Sequence, residues 1–328
     1  MNSPSRWNGA KVLVIGGTRY FGKRLVQQLP DAGARMTLAS RGLANDSFGD
    51  RVARARIDRG DARSLESGLG GRGEWDVVFD QICYSPDEAR YTCELLKDRT
   101  ARYVHTSTQS VYPESLTGLL GESLFDPSRH PLRAGARADF DYAEGKRQAE
   151  AFFFQQAPFP VAAVRLPLVL GPDDYTGRLE LPIKRVLDGR SLHRWIPDLA
   201  REFSLISSRE AADFLAWLGL QSHTGSVNAC SVGPLTRGRL LSLVEEALGK
   251  KARYNSGTRR NSTPSAGASS RVLDTRLAEE LGYRFEPVKS WLAPLIREIA
   301  ARLSDKPSWI PAWLLRRLRF KKVALAGV

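Results

Sequence analysis

Residues 12–29 read VLVIGGTRYFGKRLVQQL. A β-branched run, KVLVI over 11–15, stops on Gly16-Gly17, and the GKRLVQQLPDAG that follows is helical in pattern, with apolar Leu25, Val26 and Leu29. A strand passing through glycines into a helix brings free backbone N–H groups to one point, where the helix dipole also attracts an anion. Gly16 and Gly17 permit the sharp turn and close approach of backbone to a phosphate; Gly22 permits the helix to pack on the sheet. Arg19 stands where a middle glycine is often found, and its guanidinium is long enough to reach a phosphate itself. On these residues alone a purely structural turn remains an equal reading.

The strand-and-helix rhythm continues beyond this turn. ARMTLAS (34–40) reads as a second strand, ARARIDRGD (53–61) carries a weaker third, DVVFDQI (76–82) is a fourth and ARYVHTST (101–108) a fifth. Helical stretches such as PDEARYTCELLKD lie between most of them. A helix beginning near Phe140 leads to VAAVRLPLVLG (161–171), read as one sixth strand. Alternating strands and helices predict a Rossmann-type, doubly wound parallel sheet of the α/β class, and unbroken apolar strands such as VLVI fit burial on both faces. After Gly171 the alternation weakens, which predicts a smaller mixed C-terminal lobe. The expected division is a dinucleotide-binding Rossmann domain over 1–170, a mainly substrate-binding lobe over 171–306 with segments returning to the first domain, and a basic amphipathic tail over 307–328. NSGTRRNSTPSAGASSR (255–271) reads as a mobile loop.

Composition narrows the class. The 328 residues are 42% apolar and 26% charged, values of a soluble globular chain with a substantial core. No apolar run approaches the ~20 residues of a membrane span, and MNSPSRWNGAK lacks the apolar segment of a signal peptide. Three scattered cysteines, Cys83, Cys93 and Cys230, argue for a reducing cytoplasm over a disulfide framework. Four histidines without ligand spacing predict no structural metal. The net charge is +13, and from Arg297 to Val328 eight basic residues face two acids. The remaining excess suits an anionic small molecule, nucleic acid or plain solubility. The tail, with Trp309, Trp313 and Leu314 among arginines, fits a helix docked on the domain or on a dimer partner better than a membrane surface.

Chemistry concentrates in two places. In DYAEGKRQAE, Tyr142 and Lys146 are four apart and share a helix face. A free tyrosine has a pKa of ~10, which a neighbouring ammonium lowers toward the working range of a base. Thr108, closing the fifth strand, is placed to hold the same reacting oxygen, so a carbonyl between Thr108 and Tyr142 would face a hydride donor. The second place follows the second strand. Ser40-Arg41-Gly42 stands where an acid for ribose hydroxyls is expected of an NAD site, and an arginine there binds a 2′-phosphate through two hydrogen bonds. NADP(H) is therefore favoured, with NAD(H) left open.

With IGGTRYFG, IDRGD, TSTQSVY, YAEGK, VRLPLVLGPDD and VNACSVGPLT in view, the chain resembles the extended or atypical short-chain dehydrogenase/reductases of the NAD-dependent epimerase/dehydratase family. The resemblance runs from about Lys11 to Ile296, and the GGTR variant is similar to a branch that includes the chloroplast stem-loop RNA-binding proteins. It implies hydride transfer at a carbonyl or secondary alcohol, for instance of a nucleotide sugar. Thr108, Tyr142 and Lys146 would be catalytic, Lys146 also holding the nicotinamide ribose. Gly16, Gly17, Thr18, Arg19, Tyr20, Phe21 and Gly22 would cradle the cofactor, Asp58 and Arg59 would meet its adenine, and Pro167 and Leu168 would lie beside the nicotinamide. FDQICY departs from the small residues usually packed there, and a long insertion around ESLTGLLGESLFDPSRHPLRAGARADF is expected to border the substrate. Tyr84 and Arg178 are substrate candidates, Arg178 as a clamp for phosphate or carboxylate; Asp80 is one too, or else a helix cap. His105 reads as a core residue. The expected partner is a small molecule, an anion being one option, with nucleic acid disfavoured and a homodimer left open. The competing reading is a non-catalytic nucleotide-sensing or RNA-binding member of the same fold.

Overall fold

A computed structural model describes residues 6–44, 46–193, 199–255 and 270–304. The basic tail 307–328 and most of the 255–271 loop lie outside the described residues. The strands are β1 (Lys11–Ile15), β2 (Arg35–Ser40), β3 (Val52–Arg56), β4 (Val77–Asp80), β5 (Tyr103–Thr108), β6 (Gly118–Leu120), β7 (Val161–Leu166), β8 (Leu168–Leu170), β9 (Ser191–His193), β10 (Glu202–Phe203), β11 (Leu205–Ser207), β12 (Gly225–Asn228), β13 (Leu235–Thr236), β14 (Arg253–Asn255) and β15 (Arg271–Leu273). The helices are α1 (Tyr20–Asp31), α2 (Ala62–Leu69), α3 (Pro86–Leu96), α4 (Tyr142–Gln156), α5 (Glu180–Leu187), α6 (Ser208–Gly219), α7 (Arg237–Leu248), α8 (Arg276–Glu280) and α9 (Val288–Ser304).

Seven strands form one sheet in the order β12-β7-β5-β4-β1-β2-β3, every neighbouring pair parallel. The strand order reverses between β1 and β4, which opens a crevice at the carboxyl ends of the strands where ligands of doubly wound sheets bind. Val12, Val14 and Leu38 face α1 and α6 on one side, while Leu13, Ile15 and Val78 face α2, α3 and α4 on the other. Burial on both faces is why these strands read as continuous apolar runs. Helix starts are set locally: Ser85, Asp141 and Ser207 each accept a backbone N–H from the first turn of α3, α4 and α6.

The expected single strand over 161–171 is two. β7 belongs to the main sheet, whereas β8 pairs with β11 in a separate two-stranded sheet. Pro167 lies between them and has no N–H to continue the ladder. Beyond Gly171, α6 and β12 return to the main layer, and α5, α7 and α9 pack around their own core with Leu170, Leu192 and Leu205. A mixed four-stranded sheet, β13-β10-β15-β6, completes this second lobe. Among the described residues no helix is long and apolar enough to cross a membrane.

One buried polar network ties α4, β5, β7 and β12 to the segment that follows β5. Glu150 on α4 and Arg165 on β7 are both 0% exposed and form an ion pair of 2.5 Å. Ser107 and Ser226 donate to the same carboxylate. The arginine also donates to Tyr112 and to the carbonyls of Glu122 and Phe125. Two charges deep in a core require this degree of satisfaction.

Candidate active site

The glycine turn has the backbone that its sequence requires. Gly16 adopts φ +84°, and a Cβ on it would stand 2.6 Å from Ile82 Cγ2. A Cβ on Gly17 would meet Val26 Cγ2 at 2.5 Å, and one on Gly22 would stand 2.1 Å from Gln81 Oε1 and 3.2 Å from Gly17 Cα. These glycines thus bring α1 hard against the end of β1. Arg19 does not need to be glycine for its dihedrals: it is extended, at φ −137° and ψ 153°. The left-handed backbone falls instead on Tyr20, at φ +55°, a conformation costing a non-glycine residue of order 1–3 kcal/mol and concentrated at functional sites. The first turn of α1 contains no acid, and no side chain caps it, which leaves its N–H groups to a ligand. Thr18 and Phe21 are partly exposed on this turn. The cradle therefore fits a phosphate-bearing cofactor.

The segment 171–178 reaches over the turn. The Arg19 guanidinium lies 5.5 Å from the ring centroid of Tyr175, and Tyr20 meets the same ring edge-on at 6.2 Å. Arg24 on α1 donates to Ser208 and pairs with Asp173. Neither Tyr175 nor Asp173 stood out in the sequence; only their neighbour Arg178 did, and the contact depends on a fold that returns residue 175 to residue 20.

Arg41 is exposed directly after β2. Asp58 is also exposed, and its carboxylate accepts the Gly60 N–H. Arg59, expected at the adenine, turns its side chain inward. Its guanidinium is buried and bonded to Asp80 at 2.6 and 3.1 Å and to the Glu88 carbonyl. Asp80 in turn accepts from the Tyr103 hydroxyl and the Ile82 N–H. A carboxylate at 0% exposure demands a cation, and Arg59 supplies it. Asp80 is thereby engaged by Arg59, Tyr103 and its own turn. His105, buried with both ring nitrogens lacking partners, is pushed well below its ordinary value by burial and stays neutral. Burial likewise raises the Cys83 thiol, so it is not a reactive thiolate.

Thr108, Tyr84, Tyr142 and Lys146 meet at the carboxyl edge. β5 ends at Thr108, and α4 begins at Tyr142, capped by Asp141. Gly145 lets α4 close on the loop after β4, since a Cβ there would stand 2.3 Å from the Tyr84 carbonyl oxygen. The Tyr84 and Tyr142 rings lie 6.2 Å apart. Lys146 Nζ lies over the Tyr84 ring, 4.3 Å from its centroid, and the Arg137 guanidinium lies over it at 4.2 Å. Lys146 is only 2% exposed and donates to the Thr106 carbonyl at 2.8 Å. Burial brings its pKa down to about 8, opposed by Cys83, Asp80, Glu88 and Glu150.

The expected depression of Tyr142 by Lys146 is not what the geometry produces. Burial raises it above its ordinary value, and neighbouring Thr108 and the charge of Arg178 only partly offset this. The residue as a whole is 55% exposed, so it can be reached from the crevice. The Lys146 ammonium is directed at Thr106 and Tyr84 instead. Arg178 follows Gly177 on the segment over the turn, and its charge falls on both Tyr20 and Tyr142. Pro167 is buried and Leu168 is partly so, paired with Leu205. Arg137 was not singled out by sequence; its only signal was membership of the insertion before α4.

No family model matches the chain. A curated relative, the chloroplast stem-loop binding protein of 41 kDa b of Arabidopsis thaliana, is 27% identical over 197 residues. The match covers 56% of this chain and 48% of that protein, so the chain spans about half the length of the relative. Among solved structures, the UDP-glucose 4-epimerase of Thermotoga maritima with UDP-glucose superposes with a TM-score of 0.70 at 17% identity, covering 90% of this chain and 100% of that one. The UDP-N-acetylglucosamine 4-epimerase of Methanobrevibacter ruminantium gives 0.68 at 18%, covering 91% and 100%. The dTDP-glucose 4,6-dehydratase of Streptomyces venezuelae with NAD bound gives 0.70 at 20%, covering 90% and 98%. Across some nine-tenths of its length, then, this chain has the fold of the nucleotide-sugar epimerases and dehydratases.

Proposed function

We propose that the protein is a nicotinamide-dinucleotide-dependent oxidoreductase or epimerase of the extended short-chain type, acting at a carbonyl or secondary alcohol. The observation that carries this reading is the meeting of Thr108 and Tyr142 with the Gly16–Gly22 turn at one edge of a sheet whose neighbours are epimerases and dehydratases. When bound, the dinucleotide supplies the centre that gives or takes hydride. The backbone of Gly16–Gly22 and the first turn of α1 hold its phosphates. Thr108 holds the substrate oxygen by its hydroxyl. Tyr142, whose raised pKa keeps it protonated near neutrality, donates its phenolic proton to that oxygen as a carbonyl is reduced and recovers it in the reverse step. Lys146 supports this edge by its charge and by the bond to Thr106.

Nucleotide sugars are the first substrates to test, because the neighbouring structures were solved with UDP-glucose or NAD. The NADP(H) preference rests on exposed Arg41 and the missing acid beside it; a lower dissociation constant for NADPH than NADH, lost in Arg41→Ala, is expected. A cytoplasmic setting rests on the three unpaired cysteines. Tyr142→Phe is expected to lower turnover by about 10²–10⁴-fold while leaving dinucleotide binding in place. Intact turnover in that variant refutes the catalytic assignment.

The second reading, an RNA-binding protein on the same fold, draws on the stem-loop binding relative and the +13 charge. It requires RNA affinity that falls steeply with salt.

A further inference from the structure

We propose that Tyr84 is a positioning residue for Lys146: the face of its ring stands in for the carboxylate that a buried ammonium needs and holds the charge at this edge of the sheet. Its part in the reaction rests on the proposed role of Lys146; the contact itself rests on geometry. Lys146 Nζ lies 4.3 Å from the centroid of the Tyr84 ring and donates to the Thr106 carbonyl at 2.8 Å. The lysine is 2% exposed, and among the described residues its ammonium has no carboxylate partner. The backbone of Tyr84 is fixed from both sides. Its N–H donates to Glu88 at 2.6 Å, and Gly145 lets α4 close on its carbonyl.

A buried cation without an acid beside it is costly, and each acid around Lys146 is held by another group. Asp80 on β4 accepts from Arg59, Tyr103 and the Ile82 N–H. Glu88 on α3 accepts the Tyr84 N–H, and Glu150 on α4 pairs with Arg165 and accepts from Ser107 and Ser226. Cys83 is kept as a thiol by burial, His105 on β5 stays neutral, and Tyr142 stays protonated. The neighbouring cations are Arg59, neutralised by Asp80, and Arg137, which lies 4.2 Å from the centroid of the same ring and whose charge also reaches Glu88. The acids act on Nζ from beyond ion-pair distance; the Thr106 carbonyl and the Tyr84 ring are its direct partners. The negative face of a ring attracts a cation most strongly where water is excluded. Burial brings Lys146 down to about 8 even so, which leaves the ammonium mostly charged near neutrality. Tyr84 thereby sets the pH above which this edge loses its positive charge.

The test titrates the full chain, carrying lysine labelled with carbon-13 at Cε, by NMR, the Lys146 signal being assigned by its loss in Lys146→Met. Residue 84 is changed first to phenylalanine (Tyr84→Phe) and then to phenylalanines bearing one, two and three ring fluorines, which keep the shape while draining the negative face of the ring. The midpoint is expected at about 8 in the wild type and in Tyr84→Phe. It should then fall stepwise with fluorination, by about one pH unit over the series. A midpoint that stays flat across the fluorinated proteins, that moves as far in Tyr84→Phe as in the trifluorinated protein, or that lies at the ordinary 10.5 in the wild type overturns the proposal. The alkaline limb of turnover should move down in the same steps. A limb that stays in place while the NMR midpoint falls supports the hold of Tyr84 on Lys146 and refutes the part in the reaction given to Lys146, so the two fail separately.

Discussion

Lys146→Met separates the two roles of a buried lysine. The ammonium is held at 2% exposure, and its pKa lies at about 8 against an ordinary 10.5. That gap of about 2.5 pH units corresponds to about 3 kcal/mol by which the fold disfavours the charged form, despite the bond to Thr106 and the Tyr84 ring. Methionine has a similar shape and no charge to bury. Set against the Thr106 carbonyl that loses its donor, a cost of ~1 kcal/mol, the variant should be about 1–2 kcal/mol more stable than the wild type at neutral pH. The sign of the pH dependence follows from linkage. Between about 8 and 10.5 the unfolded chain holds a proton on Lys146 that the folded chain has released, so this group's contribution to stability rises with pH across that window. Buried thiols such as Cys93 and Cys230, pushed up to about 12, act in the opposite direction above their ordinary 9.0. They are common to both proteins, so the difference between wild type and variant isolates the lysine. Urea denaturation at a series of pH values measures it. The variant's advantage should shrink and reverse between neutrality and pH 10.5, while its turnover is lost throughout. A stability difference that stays flat over this range refutes the buried, weakened ammonium.

Two further outcomes follow from the same packing. Arg165→Leu leaves Glu150 charged and unpaired at 0% exposure, and should cost about 3–5 kcal/mol by denaturant titration; Arg165→Leu combined with Glu150→Leu should recover much of that loss. Gly145→Ala places a methyl 2.3 Å from the Tyr84 carbonyl oxygen and must push α4 outward. It should cost about 1–3 kcal/mol of stability and lower turnover by moving Tyr142 and Lys146, whereas the exposed Gly71→Ala, with open space around it, should do neither.

Much of this arrangement was legible in one dimension because its causes are local or periodic. Strands buried on both faces must be apolar throughout, so KVLVI and DVVFD announced themselves, and β1 to β5 appear where they were expected. A turn that needs φ +84° at Gly16 and leaves no room for a Cβ at Gly22 is written in glycine. The spacing of Tyr142 and Lys146 on one helix required only a helix.

What the chain order could not convey are contacts between residues remote in sequence. Arg59 and Arg41 are both arginines following strands, yet one neutralises buried Asp80 while the other remains in solvent, and only the meeting of β4 with the loop after β3 separates them. The 161–171 run is uniformly apolar, so its division between two sheets depends on what β7 and β8 each find beside them. The direction of the Tyr142 pKa is of the same kind. The i, i+4 spacing put a lysine near the tyrosine, but the fold turned that ammonium toward Thr106 and Tyr84 and left burial to raise the phenol's pKa. Sequence by itself thus determined the sheet and the glycine turn, through backbone preference and hydrophobic period. Tertiary structure alone decided which charges are spent on one another and which stay free, because electrostatics acts through space and not along the chain.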